Sequence, residues 1–427
     1  MKAIIKETKL GGNIPAIASK SMAHRYMIAA ALSDAPSYVS CHSTSEDIEA
    51  TKACLEAMGA VFEKIEGGFM VIPVDFHKMS DGMSLPCKES GSTFRFLLPV
   101  AASFGKKAAF LQEGRLPQRP LSPLYEEMSA KGMIMSPQGS NPFGLEGKLE
   151  AGEYRLEGNV TSQFISGLLF ALPRLNGDSK IILTSKLESK LYVDMTLAVL
   201  EQFGIEVKVE DNCYIIKGNQ TYHAKDGNVE GDWSNAAFWL VAGAIGAKPV
   251  TVSGLLPDSL QGDRKIADIL KEFGAKVTYE GNSITVAPGE LKGIKIDAMD
   301  IPDLVPILAV VASVVAETPG MEGDTEIYNA ARLRLKESDR LKTVTEVLNS
   351  LGADIEEKED GLIIHGKGML KGGTVNAMGD HRIAMMSAIA ALRCNEEVII
   401  DNAEAVNKSY PTFYEDYNKL GGKVEIR

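Results

Sequence analysis

The stretch ESGSTFRFLLP, residues 89–99, sets small polar residues, a glycine and Arg95 at the head of an apolar run. A helix N-terminus built to face something negative has this composition. Other helix starts share the habit: SKSMAHR (19–25) carries Lys20 and Arg25, and GDHR (379–382) carries His381 and Arg382. A cation near the positive end of a helix is disfavoured by the helix dipole, so repeated placement there asks for an external anion. N-capping is the plainer reading of the small polar residues. It accounts for Ser234 in DWSNA (232–236) but leaves Lys20, Arg25, Arg95, His381 and Arg382 unexplained. A second set of helices opens after RLPQRP (115–120), ESKLY (188–192), LQGDR (260–264), LKESDR (335–340) and NKSYP (407–411). In LKESDR, Lys336 and Arg340 are four apart and Glu337 and Arg340 three apart, so on a helix all three share one face. One such cluster would be a surface ion-pair group. Several at matching places point instead to a cleft where helix starts fringed with Lys and Arg meet several negative charges.

The elements that must position these residues follow a repeat. A helix end, a glycine and a β-branched strand start recur as LEAMGAVF, MSAKGMIM, LEQFGIEV, LKEFGAKV, LNSLGADI and YNKLGGKV, with Gly59, Gly132, Gly204, Gly274, Gly352 and Gly421. Glycine suits the left-handed position that ends a helix. In most units an alternating strand follows, as in GGFMVIPV and NSITVAPG. A more apolar helix lies upstream in each unit, over 20–33, 92–103, 162–172, 234–246, 302–316 and 381–393. Ser21, Ser92, Ser162, Ser234, Asp303 and His381 mark its start. Each unit reads strand, helix, strand, helix, strand, strand. Six units make an α/β protein of two domains with three units each. Helix starts from both domains are expected to converge on the anion.

Composition narrows the class. The chain has 427 residues, 45% hydrophobic and 24% charged, with a formal charge of −12. An acidic balance argues against a general nucleic-acid or membrane-surface binder and leaves room for a local basic pocket. The five cysteines (Cys41, Cys54, Cys87, Cys213, Cys394) are scattered without a CxxC pair, as reduced core residues of a cytosolic protein would be. MKAIIKETKLGG has no long apolar run, so no signal peptide is expected, and no segment is apolar enough to span a membrane. HExxH and P-loop patterns are absent.

The ordered set SKSMAHR, SGSTFR, RLPQRP, VTSQF, ESKLY, QGD, IPD, LKESDR, GDHR and NKSYP resembles the 5-enolpyruvylshikimate-3-phosphate (EPSP) synthase family, the 3-phosphoshikimate 1-carboxyvinyltransferases. The resemblance covers essentially the whole chain. It implies two inside-out α/β barrel domains, each of three βαβαββ units. One is 19–229, with most shikimate 3-phosphate contacts. The other is 1–18 with 230–427, carrying the acid/base residues and a phosphoenolpyruvate clamp. The implied reaction moves the enolpyruvyl group of phosphoenolpyruvate to the 5-hydroxyl of shikimate 3-phosphate by addition and elimination, releasing phosphate. Both substrates carry a carboxylate and a phosphate, which suits basic helix starts.

By this resemblance, Lys20, Ser21, Arg25, Thr161, Ser162, Gln163, Ser189, Tyr192, Asp303 and Lys336 meet shikimate 3-phosphate. Lys20, Gly91, Arg119, Gln163, Arg340, Arg382 and Lys408 meet phosphoenolpyruvate. The catalytic set is Asp303 as base with Lys336 beside the same hydroxyl, Glu337 as proton donor to the methylene, Lys20, and His381 orienting Glu337. No metal and no cofactor are implied. The expected partners are the two small substrates, without nucleic acid or membrane, for a cytoplasmic monomer in a family that is the target of glyphosate.

Three departures from the family pattern stand out. The chain reads IPAIASKS where the family has Pro-Gly-Ser-Lys. Glu89 replaces a frequent Asn. Arg332, in a longer NAARLRLKE, aligns near a family Asn that contacts shikimate 3-phosphate. UDP-N-acetylglucosamine enolpyruvyl transferase is the nearest alternative, but it reads Lys-Asn in the first motif and carries a reactive loop cysteine. Here Lys20 is followed by Ser21, and EGRLPQRP has no cysteine. A non-catalytic polyanion-binding repeat protein would not need Asp303 and Glu337 beside the cations.

Overall fold

The repeated glycines do end helices. In the computed structural model, which describes residues 1–6, 8–316 and 323–427, all six have positive φ, from 78° at Gly204 to 109° at Gly274. Each releases a helix into a strand. Among the described residues the strands form six separate four-stranded sheets of one plan. In one, Met83–Lys88 runs parallel to Ala108–Gln112, which pairs antiparallel with Phe143–Gly147, which pairs antiparallel with Met133–Met135.

The chain divides into two compact units, Ala18–Val229 and Met1–Ile17 with Glu230–Arg427, and each holds three of the sheets. Not every unit is continuous in sequence. The leading strand of the first unit is Gly227–Asn228, parallel to Ser37–Ser40. That of the fourth is Gly12–Pro15, parallel to Val250–Ser253. The last strand of the sixth is Lys2–Ile5, seated between Val398–Asp401 and Val424–Ile426.

The apolar helices carry the cores. Trp233–Ile245, Val305–Ser313 and His381–Ala390 are buried at every residue and pack on one another. A helix apolar all round is stable only where every side is covered. The fifth of these helices is shorter than the sequence suggests. Pro302 opens a 3-10 turn, Pro302–Leu304, and the α-helix begins at Val305 with Pro306 in its first turn, where a missing N–H costs nothing. No described helix is long and apolar enough to cross a membrane.

Candidate active site

Capping and marking turn out to be separate jobs. The caps are Ser19 to Met22 N (3.4 Å), Ser90 to Thr93 N (3.3 Å), Thr161 to Gln163 N (3.3 Å), Asp232 to Asn235 N (2.7 Å) and Asp380 to Arg382 N (3.0 Å). Each lies one or two residues before the marker. Capping therefore does not account for Ser234, whose buried hydroxyl instead faces the carboxyl of Asp263. Ser21, Ser92 and Ser162 are likewise relieved of that duty.

In the unit Ala18–Val229, the Lys20 ammonium lies 2.8 Å from Asp47 Oδ2. Arg25 is buried and spans two helices. Its Nη1 donates to Ser21 O (2.7 Å), its Nη2 to Tyr192 O (2.7 Å) and its Nε to Thr196 Oγ1 (2.9 Å). Burial lowers its pKa to about 10. Ser189 sits in left-handed backbone (φ 52°) just before the helix Lys190–Gln202 that carries Tyr192. Gln163 joins the second motif to the third: its Oε1 accepts from Arg95 Nη1 (2.9 Å) and its Nε2 donates to Ser92 Oγ (3.0 Å).

Gly91 lies beside that group as the first residue of the helix Gly91–Ser103, with ordinary negative φ. A Cβ there would stand 2.8 Å from Arg119 Nη1 and 3.0 Å from Arg95 Nη1. Glycine leaves room here for two guanidinium groups and is not set by a turn. Glu89 accepts from Arg115 N (3.1 Å) and packs against Gly114, so its carboxylate is taken up by the neighbouring loop.

In the other unit, Arg340 is the hub. Only 1% of its side chain is exposed. Its Nε donates to Asp380 Oδ2, its Nη1 to Asp303 Oδ1 and its Nη2 to Glu337 Oε2, each at 2.8 Å. Arg382 Nη2 donates to Asp303 Oδ2 (2.9 Å), and Lys336 Nζ lies 3.5 Å from Asp303 Oδ1. Arg382 Nε and Nη1 are buried without a hydrogen-bond partner among the described residues. A buried cation with spare donors is suited to an anionic ligand.

Burial alone would raise the Asp303 pKa, but Arg382, Lys336 and Arg340 more than reverse it and hold the carboxyl well below the usual range. Burial lowers Lys336 against the pull of Asp303. Asp380 is also lowered, with Arg340 overcoming its burial. Lys336 and Glu337 do not share a helix face with Arg340. They lie in the bend before the helix Arg340–Ser350, where Arg340 holds Glu337 and Asp303 holds Lys336, rather than on a helical period. Arg332 Nη2 donates to Met299 O (2.6 Å). Buried Lys408 ends the 3-10 helix Ala403–Lys408, and the next residue, Ser409, donates to Asn235 Oδ1 (3.3 Å). His381 is buried with Nδ1 3.7 Å from Asp380 Oδ1, beyond hydrogen-bond length.

Three acidic residues escaped the sequence reading. Asp47 pairs with Lys20, and Asp380 pairs with Arg340 while accepting from Ser338 Oγ at 3.0 Å. Asp263, buried near Asp303, has its pKa pushed up to about 7 by burial and by that charge. The motifs GDHR and QGD contained two of them. Nothing in their spacing distinguished an ion-pair partner from a helix cap.

A family model described as EPSP synthase (3-phosphoshikimate 1-carboxyvinyltransferase) matches residues 4–417. The chain is 48% identical to the 3-phosphoshikimate 1-carboxyvinyltransferase of Clostridium kluyveri, over 99% of this chain and 97% of the relative. With that of Clostridioides difficile it shares 43% identity, over 99% and 98%. Among solved structures, an EPSP synthase from Acinetobacter baumannii superposes with a TM-score of 0.81 at 26% identity, covering 99% of both chains. The enolpyruvyl transferase NikO from Streptomyces tendae shares the fold, with a TM-score of 0.78 at 19% identity over 99% and 98%.

Proposed function

The chain belongs to the EPSP synthase family, and from that premise we propose how its residues divide the reaction. The activity is transfer of the enolpyruvyl group of phosphoenolpyruvate to the 5-hydroxyl of shikimate 3-phosphate, with release of phosphate. The observation that supports our assignment best is the shared carboxylate of Asp303, met by Arg340, Arg382 and Lys336, with Glu337 on the same Arg340.

In the addition step the Asp303 carboxylate takes the proton of the 5-hydroxyl, with Lys336 beside it. The oxygen then bonds to C2 of phosphoenolpyruvate while Glu337 gives a proton to C3. Two carboxylates in different surroundings can divide base and acid in this way. In the elimination step C3 returns its proton to Glu337, the C2–O bond to phosphate breaks, the proton held on Asp303 leaves with the phosphate, and the enol ether is left on the acceptor. Arg382 offers its spare Nε and Nη1 donors to the phosphoenolpyruvate anion, with Arg340 and Lys408 in the same clamp. Lys20, Gly91, Arg119 and Gln163 serve phosphoenolpyruvate from the unit Ala18–Val229. In that unit Ser21, Arg25, Thr161, Ser162, Ser189 and Tyr192 serve shikimate 3-phosphate. His381 orients Glu337. We read each unit as an inside-out barrel of three repeats, and the protein as a cytoplasmic monomer acting on its two small substrates without a cofactor.

Phosphate release measured with phosphoenolpyruvate and each acceptor in turn tests the assignment. Shikimate 3-phosphate should support turnover and UDP-N-acetylglucosamine should not. The reverse pattern, or release with neither, would overturn it.

A further inference from the structure

Behind the Lys20 and Gly91 helix starts lies a buried polar chain with no place in the chemistry above. His24 Nδ1 is 2.6 Å from Thr51 Oγ1, Thr51 Oγ1 is 2.6 Å from Thr93 Oγ1, and Thr93 Oγ1 is 2.7 Å from Ser90 Oγ. His24, Thr51, Thr93 and Ser90 are all 0% exposed. Each joins one of three helices: Lys20–Ala31, Glu46–Ala57, and Gly91–Ser103 with its cap.

The spacing is regular. His24 is one turn beyond Lys20, and Thr51 is one turn beyond Asp47, so each pair shares a helix face. The contacts form two rungs. The outer rung is the Lys20–Asp47 ion pair, and the inner rung is the hydroxyl chain. Asp47 also links the two, since its carbonyl accepts from Thr93 Oγ1 at 3.4 Å. That carbonyl can only accept. With Thr93's single proton turned to it or to Ser90, Thr51 must donate to Thr93 and His24 Nδ1–H to Thr51. Valine would fill the same volume in such a core without needing any partner. A satisfied hydroxyl chain instead fixes distance and direction.

We propose that the chain His24–Thr51–Thr93–Ser90 is a positioning element. It sets the helix start at Gly91 against the helix that carries Lys20, and so determines the fit of phosphoenolpyruvate without touching it. This rests on the reading that Gly91 and Lys20 meet that substrate.

The test is steady-state kinetics on Thr51→Val/Thr93→Val. Removing both hydroxyls leaves the Thr51–Thr93 contact apolar on both sides but takes the acceptor from the buried His24 Nδ1–H, so the double variant should fold with a lowered melting temperature. A small misplacement of a binding group is costly, so the KM for phosphoenolpyruvate should rise about tenfold while kcat and the KM for shikimate 3-phosphate stay within about threefold. Thr51→Ser, which keeps the hydroxyl, should stay within about twofold of wild type in every parameter. An unchanged phosphoenolpyruvate KM in the double variant, or an equal rise in both KM values, would overturn the proposal. Should the double variant not fold, Thr51→Ala carries the same expected split and the same refutation. A wild-type protein that releases no phosphate from the two substrates would instead overturn the activity. Wild-type turnover with unsplit variants would sink only the positioning role.

Discussion

Asp303 meets three cations at once, and they hold it as an anion against the cost of its burial. A carboxylate so stabilised is a weak base. On the proposed assignment, substrate anions that draw Arg382 and Arg340 toward themselves would relieve that hold and strengthen the base. Glu337 is tied to Arg340 at 2.8 Å. Glutamine keeps its size and one acceptor for that arginine. Glu337→Gln should therefore bind shikimate 3-phosphate within a few-fold of wild type while kcat falls by about 10²–10⁴, the range for one acid–base group. Single-turnover kinetics beside a binding titration would show it, and near-normal kcat would remove Glu337 from the chemistry. Gly91→Ala asks a different question of a single atom. The added Cβ meets the far ends of the Arg119 and Arg95 side chains, which can shift. Because its φ is ordinary, alanine brings no backbone strain. We expect a folded protein that melts close to wild type with a weaker phosphoenolpyruvate KM. A large loss of melting temperature with KM unchanged would show that Gly91 serves the fold rather than the ligand.

At the scale of one element, the 3-10 turn Gly262–Lys265 brings buried Asp263 toward Asp303, Asp232, Ser234 and Arg382. Burial comes first and the Asp303 charge second in pushing its pKa up to about 7. A carboxyl whose folded pKa is raised adds stability that is complete below its unfolded pKa, near 4, and lost as pH rises through about 7. Asp303 and Asp380 are depressed, so their contribution is complete above that unfolded value and is lost only at lower pH. Between about pH 4 and 7, Asp263 is the member of this carboxylate group that changes stability. Asp263→Asn should flatten the fall in unfolding free energy over that interval relative to wild type, read from denaturant melts at several pH values. Parallel curves for the two proteins would refute the raised pKa. This element also shows the reach of the sequence. The phrase LQGDR was legible as a helix opening, and the cations at helix starts were legible as anion-seeking. The partners were not, because Asp47, Asp263 and Asp380 acquire their roles only when distant turns come together. Ser19 and Ser90 could not be told from Ser21 and Ser92, since cap and marker are chemically alike and two residues apart.

Across the whole molecule, the sixfold repeat was readable because each unit ends a helix with the same left-handed glycine. Its interruptions were not readable. Lys2–Ile5 is remote in sequence from Val424–Ile426, yet the two strands make the hairpin that closes the sixth sheet. In four of the other five units these two strands are joined by a tight turn. Glu66-Gly67, Asp211-Asn212, Gly281-Asn282 and Glu359-Asp360 each link the pair in two residues. In the sixth unit the corresponding ends already face each other: Lys2 N donates to Arg427 O at 2.7 Å, and Arg427 N donates to Lys2 O at 2.9 Å. A mutually bonded pair is the geometry that a two-residue Asn-Gly turn closes. The sixth unit is therefore a regular unit with its hairpin cut, and the cut can be moved. A circular permutant that joins Arg427 to Lys2 through Asn-Gly in place of Met1, and opens the exposed turn between Gly281 and Asn282, keeps every strand pair. It closes one short loop and opens another, so the loop entropies nearly cancel. We expect it to fold, to turn over the two substrates, and to melt within roughly 4 °C of the parent, the shift that about 1 kcal/mol produces in a unit of this size. Opening at Asp211-Asn212 in the other unit should give the same result. If both permutants were molten or insoluble, the last strand of the sixth unit could not be an ordinary repeat strand supplied from the other end of the chain.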